Sequence, residues 1–277
     1  MFFDILWNLF RKSLGNSFYN TLKSGPLGRP ENYYTISTFD TVFTQYVSTG
    51  FNFNHKQILE VGGGNQFYTA FHFLSEGADR ILLADPVFNN ETPGIISRHR
   101  EEFLKSHPDK QLPVPAPVSS YSSLDAIPED DNSRCDFICS HFVLEHFREL
   151  DSYFLGTRRL LSDSGISFNI VDLSDHIYHV FNTRPRTQWL YRSRMLYHLR
   201  YSDAFYDAIT DRRIWVNRLL LPAYRACAEK YDLVISDIEP LPYLRKVKIH
   251  PDVLQRNPTT NREELFITHF SFRLQKR

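Results

Sequence analysis

The middle of the chain alternates short unbroken apolar runs with amphipathic stretches, the pattern of a parallel sheet covered by helices on both faces. Apolar runs predict strands near residues 57–61, 80–84, 113–117, 135–139 and 166–172. Helical spacing predicts helices near 66–76, 95–106, 142–147 and 149–161. A long helix over 213–230 and a strand over 232–238 follow, then a turn region at Pro240–Pro242. The last strand, 264–273, alternates Phe266, Thr268, Phe270 and Phe272 against Ile267, His269, Ser271 and Arg273. Pro113, Pro115 and Pro117 restrict the third strand to a short or edge position, because proline cannot donate to a ladder. The expected class is α/β, with a doubly wound, mostly parallel sheet.

Two regions stand outside this pattern. Residues 1–54 read as an N-terminal helical segment with a Gly/Pro break at Gly25–Pro30, and residues 55–277 as the core. Phe2, Ile5, Leu6 and Leu9 recur at helical spacing, so the first helix is amphipathic and expected to dock on the protein's own body, with peripheral membrane contact, helped by Arg11 and Lys12, as the alternative. Residues 174–212 fill a connection that usually takes only a few residues, and they are rich in Tyr, His and Arg. The expectation is a helical cap that closes over a ligand; a packing or dimer element is the alternative, which leaves a homodimer open.

The densest signal is Ile58-Leu59-Glu60-Val61-Gly62-Gly63-Gly64, a short strand running into glycines, with a helix to follow. A strand, a glycine turn and a helix N-terminus make a nucleotide-binding corner, where free N–H groups and the helix dipole face the ligand. A dinucleotide site wants a third glycine where this chain has Phe67. Glu60 would repel a pyrophosphate but suits a cationic amino group. The second strand ends at Asp85, about 20 residues after the glycines, the spacing of a ribose-hydroxyl acceptor. A ribose and a cationic head together describe S-adenosylmethionine.

The chain resembles the class I S-adenosylmethionine-dependent methyltransferases, most of all their bacterial small-molecule group. The resemblance rests on Leu59–Gly64, on Asp131–Ser140 continuing through His141-Phe142-Val143-Leu144-Glu145-His146, and on Leu161–Ile166. It covers roughly residues 55–175 well and the rest in outline. Asn65 stands where many members carry a further glycine, and Ser162-Asp163-Ser164-Gly165 replaces their Lys-Pro-Gly-Gly turn. The resemblance implies a seven-stranded, Rossmann-like methyltransferase fold with a helical cap. It implies donor contacts from Glu60, Gly62, Gly63, Gly64, Asp85, Pro86, Ser140 and His141, with Ser123 or Asp125 facing the adenine.

Lys+Arg and Asp+Glu both number 32, so no global positive field exists to hold a nucleic acid. Aromatic residues make up 15% of the chain, enough for a thick core or a ring-lined cavity. Three cysteines, two of them flanking one predicted strand, suit a reducing cytoplasm rather than a disulfide framework. The apolar N-terminus is too short to span a bilayer, so no integral membrane segment is expected.

Methyl transfer from a sulfonium needs alignment, exclusion of water and, for a hydroxyl acceptor, a base. Candidates lie outside the carboxyl ends of strands four and five: Ser140 and His141, then Asp172 and His176. Asp172 with His176 is the preferred catalytic pair, since a carboxylate can raise an imidazole's pKa and fix its tautomer; helix capping is the alternative role for Asp172. His141 is a candidate for donor or acceptor contact, and His146 for tying down loops. His141, Glu145 and His146 do not form His-Glu-x-x-His and Asp172–His176 is an isolated pair, so no metal is expected, with a divalent-metal methyltransferase as the alternative. Arg184, Arg186, Arg192, Arg194 and Arg200 mark either an anionic acceptor or a solvated face. The expected activity is methyl transfer to a hydroxyl or amine of a small polar acceptor of sugar or natural-product type. A nicotinamide-dependent oxidoreductase and a non-catalytic partner subunit are the alternatives.

Overall fold

The computed structural model describes residues 35–64, 66–89, 91–176, 195–210, 215–241, 249–257, 261 and 263–277. In chain order the elements are α1 (Ile36–Val47), β1 (Gln57–Val61), α2 (Tyr68–Ser75), β2 (Arg80–Ala84), α3 (Thr92–Ser106), β3 (Val118–Tyr121) and β4 (Cys135–His141). Then come α4 (Leu150–Leu160), β5 (Leu161–Asp172), α5 (Asp203–Ile209), α6 (Leu221–Lys230), β6 (Leu233–Leu241), α7 (Pro251–Arg256) and β7 (His269–Lys276). The seven strands form one sheet in the order β3-β2-β1-β4-β5-β7-β6. The first five strands pair in parallel; β7 lies antiparallel between β5 and β6.

Successive strand residues enter opposite cores, which is why the runs are apolar throughout rather than alternating. Ile58, Ile81, Phe137 and Cys139 pack under Val42 and Phe43 of α1, Phe71 and Phe73 of α2 and Phe103 of α3. Leu59, Leu82, Ile138, Phe270 and Phe272 pack on the other face with Tyr153 and Phe154 of α4 and Tyr224 of α6. Burying one such aromatic side chain contributes about 1.5–3 kcal/mol. The rings expected from composition are thus largely core: α1 alone places Phe43 and Tyr46 against Phe73. The three cysteines are free.

Several predicted elements move, each for a local reason. The third strand starts at Val118, directly after Pro117, rather than running over 113–117, since residues without an N–H cannot join the ladder. The helix expected over 142–147 is a single 3-10 turn, Leu144–His146, because Phe142 adopts φ +55 and breaks the path. The long helix over 213–230 shrinks to α6, with Pro222 in its first turn, where a missing N–H costs nothing. The final strand begins at His269, after a 3-10 turn at Glu264–Phe266. The amphipathic helix expected near residue 2 lies outside the described residues, as does the cap over 177–194. The cap's described remainder holds α5, whose Ser202 accepts a capping hydrogen bond from the Phe205 N–H. No described helix is long and apolar enough to cross a membrane.

Candidate active site

β1 delivers Glu60 and Val61 to the carboxyl edge of the sheet, and the chain turns there through Gly62 and Gly64 at φ +80 and +59. Gly62 admits no side chain: an added Cβ would stand 2.3 Å from Val143 Cγ1. At the end of β2, Asp85 is buried and anchored by the same turn. Its Oδ2 accepts from the Gly64 N–H and its Oδ1 from the Val87 N–H, both at 2.9 Å. Each oxygen keeps lone-pair capacity for a further donor such as a hydroxyl.

Glu60 is buried, and its Oε2 has no hydrogen-bond partner among the described residues. Burial pushes its carboxyl up to about 8; the Thr69 hydroxyl opposes this and the Asp85 charge adds to it. Gly63 lies against it, with the Cβ position 3.3 Å from Glu60 Cδ. A buried carboxyl with an orphan oxygen is unfavourable until a proton or a cation meets it.

Beside this corner lies a cavity of about 430 Å³, inside the range of about 300–1,000 Å³ usual for small-molecule sites. Gly62, Asp85 and Pro86 form one side of it, Ser122, Ser123, Leu124 and Asp125 another, and Phe142, Val143 and His146 a third. Five of the sequence-predicted donor residues therefore share one wall system: Gly62, Asp85, Pro86, Ser123 and Asp125. Glu60, Gly63 and Gly64 adjoin it through the turn. Phe67, at the place of the missing glycine, is fully buried and stacks on Phe88.

Ser140 is placed differently from its expected donor contact. It is fully buried, does not line the cavity and gives its hydroxyl to Asn169 Oδ1 at 2.8 Å. Tyr153 donates to the same oxygen at 2.5 Å, and Asn169 Nδ2 donates to Ser167 at 3.0 Å, closing a buried polar network between β4, β5 and α4. Val61, the partner of Ser140 across the sheet, lines the cavity from the same face, so it is the bond to Asn169 and the Tyr153 network that takes up Ser140. His141 also lies off the cavity wall; its ring packs on Phe142, and burial lowers its pKa to about 4.

At the end of β5 the structure brings Asp172 and His176 together, with His176 Nε2 3.4 Å from Asp172 Oδ2. Asp172 Oδ1 accepts from the Ser174 N–H at 2.8 Å and lies 3.1 Å from His269 Nε2. The antiparallel register pairs Asp172 with His269 across β5 and β7, which fixes this second imidazole. His146 projects from the turn after β4, its ring centroid 5.0 Å from that of His176. Its Nδ1–H donates to the Trp215 carbonyl at 2.9 Å. Asn217 holds the turn by donating from Nδ2 to the carbonyls of Leu144 and Phe147. Beneath lies Glu145, fully buried, its carboxyl pushed well up by burial and then by the Asp172 charge. Arg200 pairs with Asp252 of α7 at 3.1 Å and sits over the Tyr197 ring, so it serves packing. The other four cap arginines lie outside the described residues.

Sequence reasoning missed His269, since only the strand order places the last strand beside β5. It considered Glu145 as part of the family motif and of a zinc motif that the spacing does not satisfy.

Among solved structures, a candidate sarcosine dimethylglycine methyltransferase from Galdieria sulphuraria aligns over 87% of this chain and 86% of its own, at 15% identity and TM-score 0.51. Phosphoethanolamine N-methyltransferase 2 of Haemonchus contortus, solved with S-adenosyl-L-methionine, aligns over 89% of this chain and 58% of its own, at 13% identity and TM-score 0.51. The chain has the fold of the class I S-adenosylmethionine-dependent methyltransferases. The YcgJ protein of Bacillus subtilis, at 13% identity and TM-score 0.50, covers 86% of the methyltransferase-fold chain and 99% of its own. No protein-family model matches the sequence, and no curated protein is significantly similar to it.

Proposed function

We propose that this chain transfers the methyl group of S-adenosylmethionine to a hydroxyl or amine of a small polar acceptor. The observation that carries the reading is the orphan, buried Oε2 of Glu60 beside the glycine turn, in the residue just before Val61, which lines the cavity with Gly62 and Asp85. A donor with a cationic amino group and a ribose satisfies both acids at once: the ammonium meets Glu60 and the ribose hydroxyls meet Asp85. Ser123 and Asp125 line the same cavity and are assigned to the adenine edge. A structure of the same fold that holds S-adenosyl-L-methionine supports this donor.

The methyl carbon is attacked by the acceptor oxygen or nitrogen as its bond to sulfur breaks, and S-adenosylhomocysteine leaves. The protein's share is to bind, align and keep water out. The acceptor's proton goes to the Asp172 site, where the carboxylate lies between His176 and His269 and stabilises an imidazolium. Phe142 and Val143 give the cavity apolar lining.

Calorimetry tests the donor directly. The wild-type chain is expected to bind S-adenosylmethionine and S-adenosylhomocysteine, with Asp85→Ala weaker by about tenfold or more, the loss of a charged hydrogen bond. If the wild type binds neither, the reading is wrong.

A further inference from the structure

Glu145, His146 and His176 each offer one ligand atom, and these atoms all lie within 4.8 Å of one another. We propose that the three side chains bind a divalent transition-metal ion beside the cavity, with Asp172 as a second carboxylate at its edge, that this ion holds an oxygen of the acceptor, and that the acceptor's proton then goes to His269, on Asp172 Oδ1, since His176 is a ligand. Two imidazoles and a carboxylate form a donor set suited to zinc, cobalt, manganese or ferrous ions rather than calcium.

Three observations carry the site. Both Glu145 oxygens are buried and make no well-formed hydrogen bond among the described residues, although the backbone N–H groups of Glu145 and Asp172 lie close. A buried carboxylate so placed calls for a cation. His146 carries its proton on Nδ1, committed to the Trp215 carbonyl, which leaves Nε2 with the lone pair a metal needs. His146 also lines the cavity, so an ion on it faces the space where an acceptor would enter. Tetrahedral ligands at about 2.0–2.2 Å stand about 3.3–3.6 Å apart, so from a spacing of at most 4.8 Å the side chains draw together on binding.

A second trio, Asp40, His72 and His107, has similar proximity but is already satisfied. Asp40 Oδ1 takes His72 Nε2 at 2.8 Å and His107 Nε2 at 3.3 Å. It serves as the internal control.

The test is titration of the full-length chain with Co2+ alone, followed by visible absorption, then displacement by Zn2+. One saturable equivalent is expected. Glu145→Gln and His176→Ala should each weaken it by more than the roughly 10–100-fold that outer-shell changes produce, while His72→Ala leaves it unchanged. In the unsubstituted protein, Co2+ should shift the imidazole NMR signals of His146 and His176 and spare those of His72 and His107, a readout that does not depend on variants folding. Absence of saturable binding, or shifts confined to His72 and His107, overturns the site. The ion's role toward the acceptor rests on the donor reading above, whereas the Co2+ titration does not: a chain that binds Co2+ at these residues and no S-adenosylmethionine upholds the site and refutes the donor.

Discussion

Glu60 makes the donor reading quantitative. Its carboxyl rises from 4.5 to about 8 on folding, chiefly through burial. An acid whose folded pKa is raised binds its proton more tightly in the folded state. Its favourable contribution is therefore complete below about pH 4.5, is lost as pH rises from there to about 8, and is absent above. At about 1.4 kcal/mol per pH unit, the donor-free protein should lose about 4–5 kcal/mol across that span relative to Glu60→Gln, which cannot ionise. Donor binding must reverse the shift, because the incoming ammonium stabilises the ionised carboxylate. At pH 6.5 the free site is almost wholly protonated, so binding should expel close to one proton per donor. Calorimetry in two buffers of different ionisation enthalpy reads that proton directly. The Glu60→Gln variant should show no buffer dependence and weaker binding. Equal enthalpies in both buffers for the wild type would refute the assignment of Glu60 to the donor's cation.

Gly62→Ala should cost about 2–3 kcal/mol in chemical denaturation and impair donor binding, since its Cβ meets Val143 at 2.3 Å and the backbone sits at φ +80. Tyr153→Phe removes a donor from the buried Asn169 network and should lower stability by about 1–3 kcal/mol while leaving donor affinity intact, as that network lies off the cavity. Arg80→Ala should destabilise by about 1–3 kcal/mol, because the buried Asp131 carboxylate loses its guanidinium at 2.5 Å; restoration by Lys would be partial. Asp172→Asn should lower turnover far more than donor affinity if the carboxylate supports proton removal, a split that steady-state kinetics with an identified acceptor would reveal.

The sheet was legible because its strands are buried on both faces and read as unbroken apolar runs, as in Ile58–Val61 and Ile81–Ala84. The donor corner was legible because glycines and acids at fixed offsets from strand ends carry their chemistry in local sequence. Elements defined by sparse events were misplaced: three prolines delayed β3, one left-handed residue, Phe142, reduced a helix to a turn, and Pro222 shortened α6. Ser140 shows the limit of motif reading, since a buried network with Asn169 and Tyr153 takes up its hydroxyl, and no local pattern predicts that network. The acceptor end was only half legible. Asp172 and His176 sit four residues apart, but His269 joins them through a register between β5 and β7 that no local pattern encodes.

The central claim is that one corner of the sheet holds the donor, and a crystal structure with S-adenosylhomocysteine tests it most directly. Ribose hydroxyls are expected on Asp85, the adenine between Ser123 and Asp125, and the amino group on Glu60. Adenosine bound elsewhere, or a corner that stays closed at saturating ligand, would contradict it.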